Sequence, residues 1–549
     1  MNMKSHLKRE NKTSFLKNVL MLMFSQVAVK VLGLLYRVVI VDVENFGNVG
    51  NGYYATGYQI YMILLAISSL GIPNVMSKLV SERVAKGDYK SAHRVFKLSL
   101  YMFGLFGAFL GLVLFFCADF ISANLLRAEG VKYTLKVLAP ALAIVPVSAV
   151  LRGYFAGLGS MKANSTSQVI EQFFNCVLSI GFVYACVGKD TAIMAAAGNL
   201  STSCACAIAL FYLALFYKQR RGDILYECSE QTHINRTETD GKLIKTILAL
   251  CVPITLSSLI STAAANIDTV TVSNCIQSAL SSSISDAALL EEKAMELYGV
   301  LQKCETLTHL PLAISATLCT AIVPVIAASI AKKDHVEAEK KISSATLISS
   351  LVIFPCTGGF IALASPILKL LYPSVPDGGL VFILLSSVLP LAAFTQLLNG
   401  VFYGIGKQAV PAIALGIGSV IKLLLNLWLM AIPSLNIYGA VIGTIVYHIV
   451  TFIIQVALLF RYMKIKLNLI QNILKPLVSA ALMSVAVFGC YKALSTLGGN
   501  TFATFGSILT GVIVYVLVLL LLRTLNEEDI KGLPMGSKLL VAFKKWRLI

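Results

Sequence analysis

Charge is what this chain lacks. Only 13% of its 549 residues are Asp, Glu, Lys or Arg, against about 25% in a soluble globular chain. So few charges cannot clothe a water-facing surface, which excludes a soluble domain of this size. Acids are the scarcer sign, 27 against 45 Lys and Arg. An acid-lined cavity for cationic drugs therefore has little to be built from. No G-x-x-x-x-G-K-[ST] phosphate loop is present, which excludes a built-in ATPase of that type. No H-E-x-x-H and no Ser/His/Asp set in a recognisable context appears, which argues against a membrane transferase or hydrolase. The twelve cysteines lie mostly inside apolar runs, where Cys acts as a small hydrophobe. The nearest pair, Cys204 and Cys206, is two apart on a helix and does not share a face.

What is present is hydrophobic length. Apolar residues make up 57% of the chain. Fourteen runs have roughly the length a helix needs to span hydrocarbon. They fall at 18–41, 56–76, 95–117, 133–155, 166–187, 191–217, 243–266, 296–330, 342–363, 378–402, 409–431, 437–460, 473–494 and 501–522. The fold class is therefore all-α, a polytopic membrane protein. The formal charge of +18 is not a nucleic-acid signal, because it is unevenly placed. With both termini inside, most Lys and Arg fall on cytoplasmic segments, as the positive-inside rule requires. Those patches suit anionic membrane lipids. The start, with Lys4, Lys8, Arg9, Lys12 and Lys17, has no small-residue cleavage site and is expected to be an uncleaved cytoplasmic lead.

Two strings recur in one register. Ala85-Lys-Gly-Asp88 through Ala92 returns as Ala331-Lys-Lys-Asp334 through Ala338, an offset of 246. Arg152-Gly-Tyr-Phe-Ala-Gly157-Leu-Gly159 returns as Asn399-Gly-Val-Phe-Tyr-Gly404-Ile-Gly406, an offset of 247. Tandem similar halves are a recurring plan of secondary transporters. The expected organisation is a basic cytoplasmic N-terminus (1–17), a six-helix N-lobe (18–217), a cytoplasmic linker (218–242), a six-helix C-lobe (243–462), two further helices (463–522) and a basic cytoplasmic tail (523–549). The Ser-rich then acidic segment from Asn274 to Met295 reads as an external loop with room for a short helix.

Ionisable and amide side chains inside spanning helices are costly and face interiors or wet cavities. Three stripes qualify. Gln26, Lys30, Gly33 and Arg37 are spaced four, three and four, which puts two cations on one helix face. Asn164, Gln168, Glu171 and Asn175 form a second stripe, and Ser419, Lys422 and Asn426 a third. Under the 247 offset Asn175 corresponds to Lys422. Glu171 has a structural ion pair as its rival reading. Four further candidates carry stronger rivals. Asp268 suits a helix end near water, Lys303 and Glu305, read as the beginning of the eighth helix, suit a surface pair as well as a pathway role, and Arg152 suits a structural or headgroup contact. The cations outnumber the acids, and Lys and Arg give charge-assisted hydrogen bonds to phosphate. The set leans toward an anionic ligand. His309 and His448 read as packed residues, and no metal cluster is expected.

At Leu32-Gly-Leu-Leu-Tyr36-Arg37, Gly50-Asn-Gly-Tyr-Tyr54, Gly57-Tyr-Gln-Ile-Tyr61, Ser68-Ser-Leu-Gly-Ile-Pro73, Ser77-Lys-Leu-Val80, Arg152-Gly-Tyr-Phe-Ala-Gly157, Ser167-Gln-Val-Ile-Glu171-Gln172, Leu297-Tyr-Gly299 and Gly439-Ala440, the chain resembles a known family. It is similar to the polysaccharide-transporter branch of the multidrug/oligosaccharidyl-lipid/polysaccharide exporter superfamily, close to the stage V sporulation protein B group and MurJ-type lipid II flippases. The resemblance runs over residues 15 to 525. It implies two six-helix lobes around a V-shaped cavity, two trailing helices, and export of an undecaprenyl-diphosphate-linked cell-wall precursor by alternating access. One departure stands out: where that group often carries Arg, this chain has Asn175.

The expected function is thus a lipid-linked glycan flippase of the bacterial cytoplasmic membrane, serving peptidoglycan synthesis, cell shape or sporulation. Lys30, Arg37 and Lys422 would hold the diphosphate, with Gln26, Gln168, Glu171, Asn175 and Asn426 lining the cavity. No cofactor is expected; coupling to the membrane potential or to a monovalent cation, with Glu171 or Asp268 as its carrier, is the open expectation. The expected partners are the lipid-linked anionic glycan, membrane lipids and cell-wall synthesis proteins, with no nucleic acid and a monomeric state. The alternatives are another lipid-linked polysaccharide unit or a cation-coupled multidrug exporter.

Overall fold

The computed structural model describes residues 29–69, 71–229, 239–281, 283–331, 334–463 and 468–524. Every regular element among them is a helix, as lipid demands of a spanning backbone that must satisfy its own hydrogen bonds. In chain order these are α1 (29–41), α2 (Gly47–Ser68), α3 (Ile72–Ala85), α4 (Tyr89–Phe120), α5 (Val131–Gly157), α6 (Lys162–Ala185), α7 (Thr191–Ser229), α8 (Asp240–Ala265), α9 (Ile267–Leu280), α10 (Ala287–Ala331), α11 (His335–Ala362), α12 (Ala364–Leu371), α13 (Gly379–Ser387), α14 (Leu389–Ile405), α15 (Ala409–Leu429), α16 (Ile437–Tyr462), α17 (Lys475–Ser495) and α18 (Asn500–Leu521). A single π turn, Ile121–Leu125, ends α4, and another, Ile470–Leu474, leads into α17.

Eleven helices or joined helix pairs among the described residues are long and apolar enough to cross a membrane. Of the three other expected runs, 243–266 and 296–330 fall on α8 and α10, and 18–41 meets α1 from residue 29 on, residues 18–28 lying outside the described residues. Helix α4 shows why these elements suit lipid rather than water. Tyr101, Leu105, Phe109, Leu112, Phe116 and Phe120 recur every three or four residues on its outer face, and Phe116 is 76% exposed. The opposite face carries Gly107 and Gly111, which let α5 approach. A methyl at either would lie under 2.8 Å from a carbonyl of α5. A helix apolar all round is one that lipid surrounds, and small residues at the contact replace the hydrophobic effect that lipid cannot supply.

Two compact units are present: one runs to Gln302 and adds Met430–Asn436, the other holds Lys303–Leu429 and continues from Ile437. The first has its core on α3, α4, α5, α7 and α8, around Met76, Phe96, Tyr154 and Leu213. The second has two cores. One gathers Ile326, Ile342, Phe402 and Leu459; the other gathers Phe354, Phe394, Met483 and Tyr515, so α17 and α18 pack as part of it.

The repeated strings are the same device built once in each unit. Asp88 caps α4 by accepting from the Ser91 N–H at 3.0 Å, and Asp334 caps α11 by accepting from the Glu337 N–H at 2.8 Å. Each Asp N–H donates in turn to the end of the preceding helix, at Arg83 O and Ser329 O. In the second string Gly159 and Gly406 sit at φ +84° and +80°, the left-handed conformation that glycine takes without a Cβ penalty. Gly153 and Gly157 let α5 close on Met76 and Val80, while Gly400 and Gly404 let α14 close on Ile322 and Ile326. Replacing either Asp by Ala removes one cap. We expect a loss of about 1 kcal/mol from each unit, read as a small drop in the melting temperature of the detergent-solubilised protein; no drop from either would mean that water serves the α4 and α11 ends equally well.

The expected loop from Asn274 to Met295 is mostly helical. Helix α9 runs to Leu280 and α10 begins at Ala287. One of its acids is used within the fold: Glu291 accepts from the N–H groups of Glu129 and Gly130 at 3.0 Å each and from Tyr53 Oη at 2.7 Å. A carboxylate at the start of α5 is favoured by the orphan amides and the helix dipole there. Ser273 and Asn274 donate to Leu126 O and Leu125 O, which ties α9 to the same turn.

Candidate functional site

The α6 stripe defines a polar network in the first unit. Asn164, Gln168, Glu171 and Asn175 are spaced four, three and four, so they share one face. Gln168 donates to Asn164 Oδ1 at 2.8 Å along the helix. The other two reach neighbouring helices. Glu171 pairs with Arg152 of α5 at 2.6 Å, and Arg152 Nε also donates to Ser167 Oγ at 2.9 Å. The Cys206 thiol of α7 lies 3.8 Å from the other Glu171 oxygen. Asn175 is buried and accepts from Ser201 Oγ of α7 at 2.6 Å. The ion-pair reading of Glu171 and the structural reading of Arg152 thus describe one contact.

Helix α1 packs against α6. A methyl at Gly33 would be 3.5 Å from Gln172 of α6. One turn further on, Arg37 is half-buried, with its guanidinium carbon 5.6 Å from the Tyr54 ring centre and 5.9 Å from that of Tyr58. Those rings belong to an α2 stripe, Tyr54, Tyr58 and Tyr61, with successive ring centres 6.3 and 5.8 Å apart. Tyr54 is 0% exposed, and its hydroxyl lies 3.1 Å from that of Tyr36. The Asn199 amide holds the Tyr54 carbonyl at 3.0 Å. Sequence reasoning passed over these tyrosines as site residues. Their four-then-three spacing on one helix was the available signal. Lys30 stands on the exposed part of α1, and Gln26 lies outside the described residues.

In the second unit Lys422 and Asn426 are buried on the side of α15 that faces α16. Gly443 makes room for them: a methyl there would stand 2.3 Å from Asn426 Oδ1 and 3.5 Å from Lys422 Cγ. Ser201 and His448 differ by 247, as Asn175 and Lys422 do, so the positions of the Asn–Ser contact in the first unit correspond to Lys and His in the second.

The secondary candidates separate. Asp268 is buried in the first turn of α9, next to the break at Asn266. Lys303 is neither at a helix start nor at the surface. Helix α10 begins sixteen residues earlier, and Lys303 is 1% exposed. Its ammonium donates to Val375 O and lies 5.6 Å from the Tyr372 ring centre, so it pins the turn between α12 and α13. Glu305 is half-buried two residues on.

The first unit also contains a crossing with two-fold character. A methyl at Gly52 of α2 would lie 2.1 Å from Met295 O, and one at Gly299 of α10 would lie 1.8 Å from Asn48 O. Gly52 and Gly299 are 247 apart, and so are Asn48 and Met295. Each helix offers its glycine to the other's carbonyl at equivalent positions. Asn51 Nδ2 seals the crossing by donating to Gly299 O at 2.8 Å.

Spanning helices in repeated halves, with paired and caged charges inside them, define a polytopic membrane protein. Residues 15–329 match the model of the polysaccharide biosynthesis protein family, and the chain belongs to that family. It is 25% identical over 552 residues to stage V sporulation protein B of Bacillus subtilis (strain 168), covering 96% of this chain and 99% of the relative. It is 24% identical over 457 residues to lipid II flippase MurJ of the same organism, covering 80% and 82%. Among solved structures, lipid II flippase MurJ in its inward closed conformation aligns with a TM-score of 0.66 and 15% identity, over 92% of this chain and 98% of that one. An inward-facing multidrug resistance MATE family transporter of the MOP superfamily aligns with a TM-score of 0.63 and 16% identity, over 79% and 97%. The resemblance read from the motifs is borne out, and so is the all-α polytopic class.

Proposed function

We propose that this chain is a flippase that moves an undecaprenyl-diphosphate-linked cell-wall precursor of lipid II type across the bacterial cytoplasmic membrane by alternating access. It is a transporter and not an enzyme. The relatives named above supply the substrate class. The observation that carries the reading is Arg37, a half-buried guanidinium of α1 that lies over the faces of two α2 tyrosine rings. Such a cation suits a diphosphate, because the guanidinium edge offers paired N–H donors that match phosphate oxygens. Lys30 and Lys422 are the further cations assigned to the anion, with Gln26, Gln168, Asn175 and Asn426 as polar lining. Export of an anion down an inside-negative membrane potential is favourable by about 2.3 kcal/mol per charge per 100 mV. The forward step therefore needs no ATP. Resetting the empty carrier is where a monovalent cation would enter, with Glu171 or Asp268 as its carboxylate. Both termini are assigned to the cytoplasm from the placement of Lys and Arg.

The test is depletion of the protein followed by assay of undecaprenyl-linked precursors on each membrane face. Lipid II accumulating on the inner face is the expected result, and Lys422→Gln expressed in its place should fail to relieve it. Normal lipid II with altered levels of another lipid-linked polymer would move the substrate. Normal levels of every such lipid, with new drug sensitivity, would favour the drug-exporter reading that the MATE likeness keeps alive.

A further inference from the structure

We infer that Glu291 is the catch of an external clasp, which holds the α9–α10 segment on the α4–α5 turn and must let go when the carrier opens outward. This rests on the alternating-access reading above, and the placement of Lys and Arg puts the turn on the external side. Every part of the clasp lies in the first unit. Under the 247 offset, however, α9 and α10 belong to the second half of the repeat and the turn to the first. The end of α4 leaves carbonyls without helical partners, and the start of α5 leaves N–H groups without them. Both sets are answered from α9 and α10. Leu125 O and Leu126 O accept from Asn274 and Ser273, and Arg127 O accepts from Gln277. The Glu129 and Gly130 N–H groups donate, one to each oxygen of the Glu291 carboxylate, at 3.0 Å. Tyr53 of α2 adds a third donor at 2.7 Å.

The chemistry is that of a catch rather than of a permanent joint. The contact is polar and lies near the surface: Arg127 and Ser278 are exposed, and Glu291 is half-buried. Water replaces each bond as the clasp parts, so opening orphans no group and costs little per bond. The carboxylate is the strong member, because its bonds to two helix-start amides are charge-assisted and the helix dipole reinforces them. One side chain thus governs an array of weaker bonds. The arrangement is also built only once. The positions equivalent to Glu129 and Gly130 carry Pro376, which has no N–H to give, and Asp377, which repels a carboxylate. The position equivalent to Glu291 is Glu44, so the acid is repeated while its seat is not. A joint that merely supported the repeat would recur in both halves.

A thiol under the clasp reports whether it opens. Ser273 is 1% exposed, so Ser273→Cys in the full chain should react slowly with a membrane-impermeant maleimide added outside intact cells. Adding Glu291→Gln should raise that rate about tenfold, because losing the charge-assisted contact raises the open fraction by that order. Glu292→Gln, the same change of charge at an exposed neighbour, should leave the rate as it was. The chain without Ser273→Cys gives the background from its own twelve cysteines. A second arm holds the clasp shut. Arg127→Cys and Ser278→Cys, whose native side chains meet at 3.4 Å, are bridged by a short bifunctional thiosulfonate in proteoliposomes. Flipping of fluorescent lipid II should be lost in the bridged protein and regained when the bridge is reduced. A bridge that leaves transport unchanged shows that the clasp need not part and overturns the inference. So does Glu291→Gln labelling at the Glu292→Gln rate. If the reduced protein moves no lipid II, the substrate reading falls, and the labelling rates, which need no substrate, still decide the role of Glu291.

Discussion

Gly299→Ala is expected to be the most damaging small substitution in this chain. Its new methyl would stand 1.8 Å from Asn48 O and 2.7 Å from the carbon that bears it. Those are backbone atoms of a helix, so no side chain can swing away. To reach an ordinary contact α2 and α10 must separate by well over an ångström, and the Asn51 bond to Gly299 O goes with them. Inserting one methylene into a packed interior costs about 1–3 kcal/mol where side chains can give. Against backbone we expect about 3 kcal/mol or more. Gly52→Ala should act in the same direction, because Met295 O stands 2.1 Å from its methyl. The control is Gly181→Ala on α6, where an added methyl meets nothing within 4 Å. There the loss of a flexible residue from a helix should leave stability equal or raise it by up to about 1 kcal/mol. Melting of the three variants in detergent, with transport measured in proteoliposomes, decides the matter. If Gly299→Ala melts and transports like Gly181→Ala, the α2–α10 crossing is looser than its geometry says.

The crossing was half-visible beforehand. The motif strings containing Gly52 and Gly299 stood out, and offsets of 246 and 247 were known from two other places. What hydropathy cannot express is that two equivalent residues touch each other, because a repeat read along the chain says which positions correspond and not which ones meet. The same limit governs the site. Stripes were legible because a 3.6-residue period is local, so Glu171 and Asn175 were placed on one face correctly. Their partners, Arg152 and Ser201, sit on other helices at separations that no periodicity encodes. The tyrosine stripe of α2 is not legible as a site because in an apolar run charge, and not ring spacing, stands out. Rings that hold a charge look like core.

Helix boundaries failed where proline and glycine cut apolar runs. The run 56–76 is really the end of α2, a turn, and the start of α3, because Gly71 and Pro73 open a new helix whose first turn needs no proline N–H. The run 378–402 likewise divides at Val388, with Pro390 in the first turn of α14. Lys303 was misplaced for the opposite reason. Helix α10 starts in a polar segment that hydropathy scores as loop, so a residue deep in the helix looked like its beginning.

The ion pair of Arg152 and Glu171 offers the second large effect. Arg152 keeps 13% of its side-chain surface and Glu171 keeps 31%, so the pair is mostly but not wholly withdrawn from solvent. Removing one partner from a buried pair costs about 3–5 kcal/mol, because the other charge is left without compensation. With part of Glu171 still exposed, about 2–3 kcal/mol is the reasonable figure for Arg152→Gln, and Glu171→Gln should cost a similar amount. The double variant, Arg152→Gln with Glu171→Gln, leaves two amides within reach of each other and no orphan charge. It should regain most of the loss, which gives a coupling energy of about 2 kcal/mol between the sites. Additive losses would mean that each residue acts through other contacts, Ser167 for Arg152 and Cys206 for Glu171. Because the double variant is expected to be stable, it separates the two roles open to the pair. If it also transports at the wild-type rate, the ion pair holds α5, α6 and α7 together and nothing more. If it folds but no longer responds to an imposed proton or sodium gradient, Glu171 is the carboxylate that carries the coupling ion, and Arg152 is the residue that takes its place when the ion leaves.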